Sequence, residues 1–159
     1  MKKCVLVVLI LFLIISVSGC VPSGYVSEDL ESYKQAREIL RCLDEEDVEG
    51  LKNLFCEKVA STHDLDKEIA EAMEFYQGKH ESYSNILEGG GSSIRDGEYL
   101  DYHLGYWITD IETDKKKVYD IDTHSYLIYK EDTDFVGITY ITIIDREADK
   151  QVDIGEYVK

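Results

Sequence analysis

The chain has 159 residues and a formal net charge of −16 at pH 7, with 33 acidic residues against 17 lysines and arginines. This acidity excludes binding to nucleic acid through phosphate contacts, which need clustered Lys and Arg, and it disfavours contact with anionic lipid. The length suits one domain of ordinary size that can bury a hydrophobic core.

The N-terminus has the three parts of a secretory signal, which we place at residues 1–19. Lys2 and Lys3 precede an apolar run over residues 5–15, and small residues follow up to Cys20. The run is shorter than the ~20 residues of a membrane-spanning helix. The quartet of residues 17–20, Val-Ser-Gly-Cys, resembles the bacterial lipobox. That resemblance implies cleavage before Cys20 and diacylglycerol on its sulfur; the alternatives are an uncleaved anchor or an ordinary signal.

The lipid reading predicts a chain held on the extracytoplasmic side of a membrane, at the cell surface or facing a periplasm. Residues 20–27 then form the lipidated Cys20 and a tether, which contains Pro22, the only proline. Cys42 and Cys56 fall in predicted helices on either side of a short turn. Their spacing along the two helices favours buried free thiols, with a disulfide or a metal or catalytic role as alternatives.

Helical periodicity is confined to the first half of the predicted domain, residues 28–146. The spacing of apolar residues predicts a first helix from Glu28 to Leu43, with Ser27 as a cap. A second, short helix begins after Asp47 and carries Leu51 and Phe55, although Gly50 weakens it. A third helix covers residues 65–77.

After Gly78 the pattern changes to the alternation that indicates strands. Strands are predicted at residues 83–87, 99–113, 118–129 and 135–144, with a loop at the Gly89-Gly90-Gly91 break and an acidic tail over 147–159. Three helices before a run of antiparallel strands predict an α+β fold with three N-terminal helices packed on a curved sheet. Both faces of the long strands carry apolar residues, so the second face should form a partner surface or enclose a cavity.

Core and turn patterns suggest a family. The stretch Leu43-Asp44-Glu45-Glu46-Asp47-Val48-Glu49-Gly50-Leu51-Lys52-Asn53-Leu54-Phe55 is similar to the opening of nuclear transport factor 2-like domains. The ending Phe75-Tyr76-Gln77-Gly78, the glycine break and the turn at residues 132–137 resemble a lipoprotein branch of it, the domain of unknown function 5104 family. The resemblance implies a cone: a curved sheet around helices with a pocket inside. It implies no activity, because that fold hosts many functions.

The sequence contains no phosphate-binding glycine loop, zinc-protease helix or paired-Cys metal spacing, so we predict no catalytic residue, cofactor or metal site. His103 and His124 are weak candidates for a general base, and His63 and His80 suit turn or cap roles. Paired acids, Asp120 with Asp122 and Asp132 with Asp134, suggest Ca²⁺ ligands but are better explained as solvated carboxylates. The residues predicted to line a ligand pocket are His103, Trp107, Tyr119 and Tyr83, with core packing as the alternative for the aromatic pair.

The leading hypothesis is a membrane-anchored, non-catalytic module that binds a small molecule or a protein. One alternative is an isomerase- or dehydratase-like enzyme that uses a buried Asp with a Tyr or His. Another is a structural accessory protein that forms a homodimer through the sheet.

Overall fold

The structure is a computed structural model that describes residues 27–158. The predicted signal at 1–19, Cys20 and the tether up to Val26 lie outside the described residues, so the lipid anchor stays a prediction. Within residues 27–158, no helix combines the length and the apolar character that crossing a bilayer requires.

The helices occupy the first half of the described chain. They are α1 (Glu28–Glu45), α2 (Val48–Lys52), α3 (Glu57–Ala60) and α4 (Leu65–Phe75). Local capping sets several of their ends. The Asp47 carboxylate accepts from the Gly50 N–H, and the Asp64 carboxylate accepts from the Lys67 N–H, which satisfies donors in the first turns of α2 and α4.

The strands form one antiparallel sheet of six strands. They are β1 (His80–Ser82), β2 (Asn85–Arg95), β3 (Glu98–Thr113), β4 (Val118–Tyr129), β5 (Gly137–Asp145) and β6 (Lys150–Gly155). The order across the sheet is β1-β3-β4-β5-β6, and β2 pairs with the same strand, β3, as β1 does. A short 3₁₀ helix, Thr133–Phe135, precedes β5, so the last predicted strand starts two residues later than expected.

The predicted fold class, three helices packed on a curved sheet as a cone, is wrong. The sheet holds more of the described residues than the helices do, and α1 is the one long helix, with 18 residues. The helical segments after it have 5, 4 and 11 residues. The architecture is therefore a six-stranded antiparallel sheet with one long helix and three shorter ones on one side.

The second predicted helix stops early because its C-terminal part joins the sheet. Phe55 makes a parallel bridge with Ile138 of β5. The Cys56 N–H donates to the Ile138 carbonyl at 2.9 Å, and the Ile138 N–H donates to the Leu54 carbonyl at 2.9 Å. Backbone pairing with β5 thus replaces the helical hydrogen bonds that continuation through Phe55 would supply.

Two segments predicted to lack regular structure are strands. Gly89, Gly90 and Gly91, predicted as a loop, lie inside β2, where the long neighbour β3 satisfies their backbone. The predicted acidic tail contains β6, which pairs with β5 and buries Ile154 completely. The folded unit therefore extends beyond Arg146, because cross-strand pairing overrides the poor strand propensity of both segments.

One face of the sheet packs on the helices and forms the core; we call it the covered face. Its central side chains are Leu104, Tyr106, Ile108, Ile111, Tyr119, Ile121, Ile141, Ile143 and Ile154, all at most 1% exposed. A bulge in β3 shifts the register between Ile108 and Ile111, with Asp110 at a φ of 52°. Ile111 therefore points to the covered face, not to the face of Trp107 as the alternation predicted.

Candidate functional site

The face of the sheet opposite the helices carries the candidate site; we call it the open face. Its residues are assigned from the strand register and include Leu87, Gly89, Gly91, His103, Gly105, Trp107, Asp122, His124, Tyr126, Tyr140, Thr142 and Asp153. The central row across the strands is Gly89, Gly105, His124, Tyr140 and Gly155. A row with glycine at two adjacent strands leaves a depression beside the histidine.

Gly89 and Gly105 form the floor of this depression, which we call the glycine floor. A Cβ at Gly89 would meet no atom within 4 Å, and one at Gly105 would meet only backbone oxygens, at 3.6 and 3.7 Å. Trp107, 41% exposed, and its cross-strand neighbour Leu87 bound the floor on one side. The His103 ring lies on the other side, against Gly91, whose added Cβ would stand 2.8 Å from it.

His124 is the buried polar group of the open face and is only 5% exposed. Its Nδ1 lies 2.9 Å from the Thr139 hydroxyl, and that hydroxyl donates to the His124 carbonyl at 3.2 Å. Because the hydroxyl proton is committed there, we assign the N–H of the ring to Nδ1, which donates to Thr139. Nε2 is then a bare acceptor, and it has no hydrogen-bond partner among the described residues.

The surroundings of His124 keep it neutral. Burial, together with the smaller effect of the nearby His103, lowers its pKa to about 4. Aromatic rings enclose it: Tyr157 at 4.8 Å, Tyr126 at 5.1 Å and Tyr140, stacked, at 6.2 Å between ring centroids. A neutral imidazole with a free Nε2 is suited to accept a hydrogen bond from a ligand.

A small cavity lies at the β5–β6 end of the open face; we call it the acidic cavity. Its volume is about 380 Å³, and its lining residues are Asp122, Tyr140, Thr142, Asp153, Gly155, Glu156 and Tyr157. The Tyr140 hydroxyl donates to Asp122 at 3.0 Å. Burial raises the pKa of the Asp122 carboxyl and raises that of Tyr140 to about 12. Burial thus disfavours the charge on Asp122, and no cationic side chain lines this cavity in the described chain.

A larger concavity of about 700 Å³ runs along α1; we call it the α1 groove. Asp44 and His80 meet in it, with His80 Nδ1 at 2.5 Å from one carboxylate oxygen and the His80 N–H donating to the other at 2.9 Å. Asp44 is largely buried and orients the ring. Tyr83 and Arg37 line the same groove.

The structure separates the four residues predicted to line one pocket. His103 and Trp107 lie on the open face and flank the glycine floor. Tyr83 lies in the α1 groove instead. Tyr119 is fully buried on the covered face, where its hydroxyl donates to the Phe75 carbonyl and accepts from the Gln77 N–H, each at 3.1 Å. Tyr119 is thus a core residue with both hydrogen bonds made.

Sequence reasoning missed the roles of Asp122, Tyr140, Asp44 and His80. Alternation within β4 places Asp122, His124 and Tyr126 on one face, and this signal was available. The contact between Asp44 and His80, 36 residues apart, had no sequence signal. The predicted buried free thiols are confirmed, since Cys42 and Cys56 are both free and buried; burial raises the pKa of Cys42 to about 11.

The acidic pairs weighed as Ca²⁺ ligands have other roles. Asp120 accepts from the Asp110 N–H at 2.8 Å and pairs with Arg146 at 3.1 Å. Asp132 caps the 3₁₀ helix through the Asp134 N–H. Over residues 27–158, no group of three or more His, Cys, Asp or Glu side chains has an arrangement that could hold a metal ion.

A protein-family model matches residues 38–146, and its family is described as Domain of unknown function (DUF5104). The match runs from within α1 to just past β5, so it includes the glycine floor, His103, Trp107 and His124 but not β6 or Tyr157. A search of curated proteins finds no match to the chain.

Proposed function

Because the chain belongs to the DUF5104 family, whose description gives no activity, we propose a function from the site itself: a lipid-anchored, extracytoplasmic module that binds a small ligand on its open face without turnover. The anchor rests on the sequence around Cys20. The binding role rests on the geometry around His124.

The observation that carries the binding role is the buried Nε2 of His124, for which residues 27–158 provide no hydrogen-bond partner. A buried acceptor without a partner costs free energy, on the order of 1–3 kcal/mol, that a ligand donor would recover. The glycine floor beside it gives room for a flat group, and Trp107 offers an aromatic surface at its edge. Tyr157, which is 55% exposed, has its ring centroid 4.8 Å from that of His124.

The same histidine favours binding over acid–base catalysis. A general base works best with a pKa near the operating pH. Burial lowers the pKa of His124 to about 4, which makes it a weak base at neutral pH. A neutral acceptor held by Thr139 is therefore better suited to recognise a donor than to remove a proton.

A ligand screen on the full chain tests the binding role. We expect at least one compound to raise the melting temperature of the wild-type chain and to be recovered unchanged. His124→Asn keeps a hydrogen-bond donor near the Nδ1 position, whereas His124→Gln places its amide group near the Nε2 position. We expect Asn to abolish the shift and Gln to retain part of it. A stabilising compound that acts equally on both variants, or that is converted, would contradict the proposal.

The anchor has its own test. Growth with a fatty-acid analogue should label the chain, and Cys20→Ser should remove both the label and the membrane association. Cys4→Ser is the matched control, because Cys4 lies within the segment predicted to be cleaved, and it should leave the label unchanged. A label that survives Cys20→Ser refutes the anchor.

A second candidate function rests on the α1 groove. The contact of His80 with the largely buried Asp44 at 2.5 Å is the arrangement that orients a histidine base, and Tyr83 is a nearby acid or donor. This favours the isomerase- or dehydratase-like alternative at a site other than the open face. Turnover that is lost in His80→Gln and Asp44→Asn but kept in His124→Asn would support it.

A further inference from the structure

The charged side chains that line the acidic cavity are all carboxylates. Asp122, Asp153 and Glu156 contribute carboxylates to its wall, and the described lining contains no Lys, Arg or His. The chain as a whole carries a net charge of −16, so the surrounding field has the same sign. Such a field attracts cations and repels anions before any contact is made.

Within residues 27–158, two of these carboxylates have only neutral partners. Asp122 accepts from the Tyr140 hydroxyl at 3.0 Å. Asp153 accepts from the Thr142 hydroxyl at 2.7 Å and from the Gln151 amide at 3.2 Å. Glu156 differs, because it lies 3.5 Å from His63 Nε2. A cation in the cavity would therefore give Asp122 and Asp153 the opposite charge that no described side chain supplies.

The remaining walls suit an organic cation. Tyr140 and Tyr157 line the cavity with ring centroids 6.3 Å apart and planes at 61°. The two rings meet edge to face, and an aromatic face near carboxylates attracts an ammonium group through the ring quadrupole. His124 contacts both rings, and its free Nε2 is a neutral acceptor beside them. The volume of about 380 Å³ is at the small end of ligand pockets.

We propose that the acidic cavity binds the ammonium group of a small organic cation, held between Asp122 and Asp153 against the rings of Tyr140 and Tyr157. This inference rests on the proposed function, because it names the ligand class of the same open face. Asp122 is the cross-strand neighbour of Trp107, so the acidic cavity and the glycine floor belong to the same face of the sheet.

The probes are choline and butylammonium, each compared with a neutral isostere. In the isostere of choline, carbon replaces the charged nitrogen; in that of butylammonium, a hydroxyl replaces the ammonium group. Titrations use the full chain in a maltoside detergent, which carries no ammonium group of its own. We expect each cation to bind about tenfold tighter than its neutral isostere, the ratio that cation–π and charge contacts of this kind give. Equal binding of both cations and their isosteres, or binding of neither cation, overturns the inference.

Variants locate the site. Asp122→Asn should weaken choline binding about tenfold and leave the neutral isostere unchanged, and Tyr157→Leu should weaken choline binding several-fold. Asp134→Asn, an exposed acid in the turn before β5, is the charge-matched control and should change affinity by less than about twofold. Choline binding that Asp122→Asn does not reduce overturns the inference.

The failure of this inference can be told from failure of the proposed function. If the ligand screen yields an uncharged compound whose binding needs His124 while choline and butylammonium do not bind, the open face is a binding site and the cation is wrong. If no compound depends on His124 and neither cation binds, both are wrong. Circular dichroism of each variant confirms that it is folded.

Discussion

The two faces of the same sheet are built for different purposes. On the covered face, β3, β4 and β5 place isoleucine, leucine and tyrosine side chains that are almost completely buried. On the open face, the same strands place glycine, an exposed tryptophan, a buried histidine with a free nitrogen and a carboxylate whose charge burial disfavours. Stability therefore resides mainly on the covered face, whereas we propose ligand recognition for the open face.

The largest expected effect is a difference between the two faces in the free energy of unfolding that a substitution removes. Ile121 is fully buried at the centre of the covered face, so Ile121→Ala should lower the free energy of unfolding by about 3 kcal/mol through lost burial and a cavity. Trp107→Ala, on the open face, removes a larger side chain but should cost less than about 1 kcal/mol because Trp107 is 41% exposed. Urea unfolding measures both, and a larger loss for Trp107→Ala would break the distinction.

The next effect is a pH dependence that originates on the open face. The folded pKa of His124 is lowered to about 4 from its ordinary 6.5, so the unfolded chain takes up the proton first as pH falls. The contribution of the neutral His124 ring to the free energy of unfolding is present above the ordinary pKa of histidine and is lost as the pH falls. The loss is about 2 kcal/mol between pH 7 and about pH 4.5. The measurement is the free energy of unfolding of the wild type minus that of His124→Phe, determined across this pH range. This difference should fall as the pH falls. A difference independent of pH would contradict the burial of a neutral ring.

His63 should show the opposite sign, because it lies in an ion-pair cluster and not among aromatic rings. Its Nδ1 is 2.9 Å from Glu68, whose other oxygen accepts from the Gly155 N–H at 2.8 Å. The hydrogen bond with Glu68 raises the pKa of His63. Its contribution is fully present below the ordinary pKa and is lost as pH rises through the raised one.

The test for His63 is the difference in unfolding free energy between wild type and His63→Gln across neutral pH. The expected difference is under about 1 kcal/mol, since the pair is partly solvated, and it should decline as pH rises. Replacing Glu68 with Gln should reduce the pH dependence to the smaller part that Glu156 contributes, without removing the helix. A difference that grows with pH would show that Glu68 does not hold the charged form.

The sequence predicted the parts of the sheet whose signal is local. The alternation of β3 and β4 gave their limits to within a residue, and it placed His103 and Trp107 on one face. The alternation failed where the pairing between strands determines which way a side chain points. The β3 bulge at Asp110 turns Ile111 to the covered face, where it pairs with Tyr119. Trp107 pairs with Asp122 instead, a neighbour that only the register reveals.

The remaining errors have the same physical origin. Glycine and acidic segments have weak strand propensity, yet β2 and β6 form because β3 and β5 offer complete hydrogen-bonding edges. The second helix ends because Phe55 meets Ile138. Similarly, Asp44 and His80 lie on α1 and β1, and periodicity within one element carries no information about such a contact. Long-range pairing, and not local preference, determines each of these features.

The smallest expected effect on stability is the sharpest test of the comparison, because the substitution should weaken ligand binding and leave stability unchanged. Gly105 has no atom other than backbone oxygens, at 3.6 and 3.7 Å, near an added Cβ. Gly105→Ala should therefore change the free energy of unfolding by no more than about 0.5 kcal/mol, since alanine restricts the unfolded chain and strains nothing. The methyl group would occupy the glycine floor and should weaken ligand binding there.

Gly155→Ala is the matched contrast, with a φ of 73° and an added Cβ 2.3 Å from the Thr139 carbonyl oxygen. It should lower the free energy of unfolding by more than about 1 kcal/mol. If Gly105→Ala destabilised the chain as much as Gly155→Ala does, the glycines of the open face would be needed for folding, and the floor would lose its role as a site kept open for a ligand.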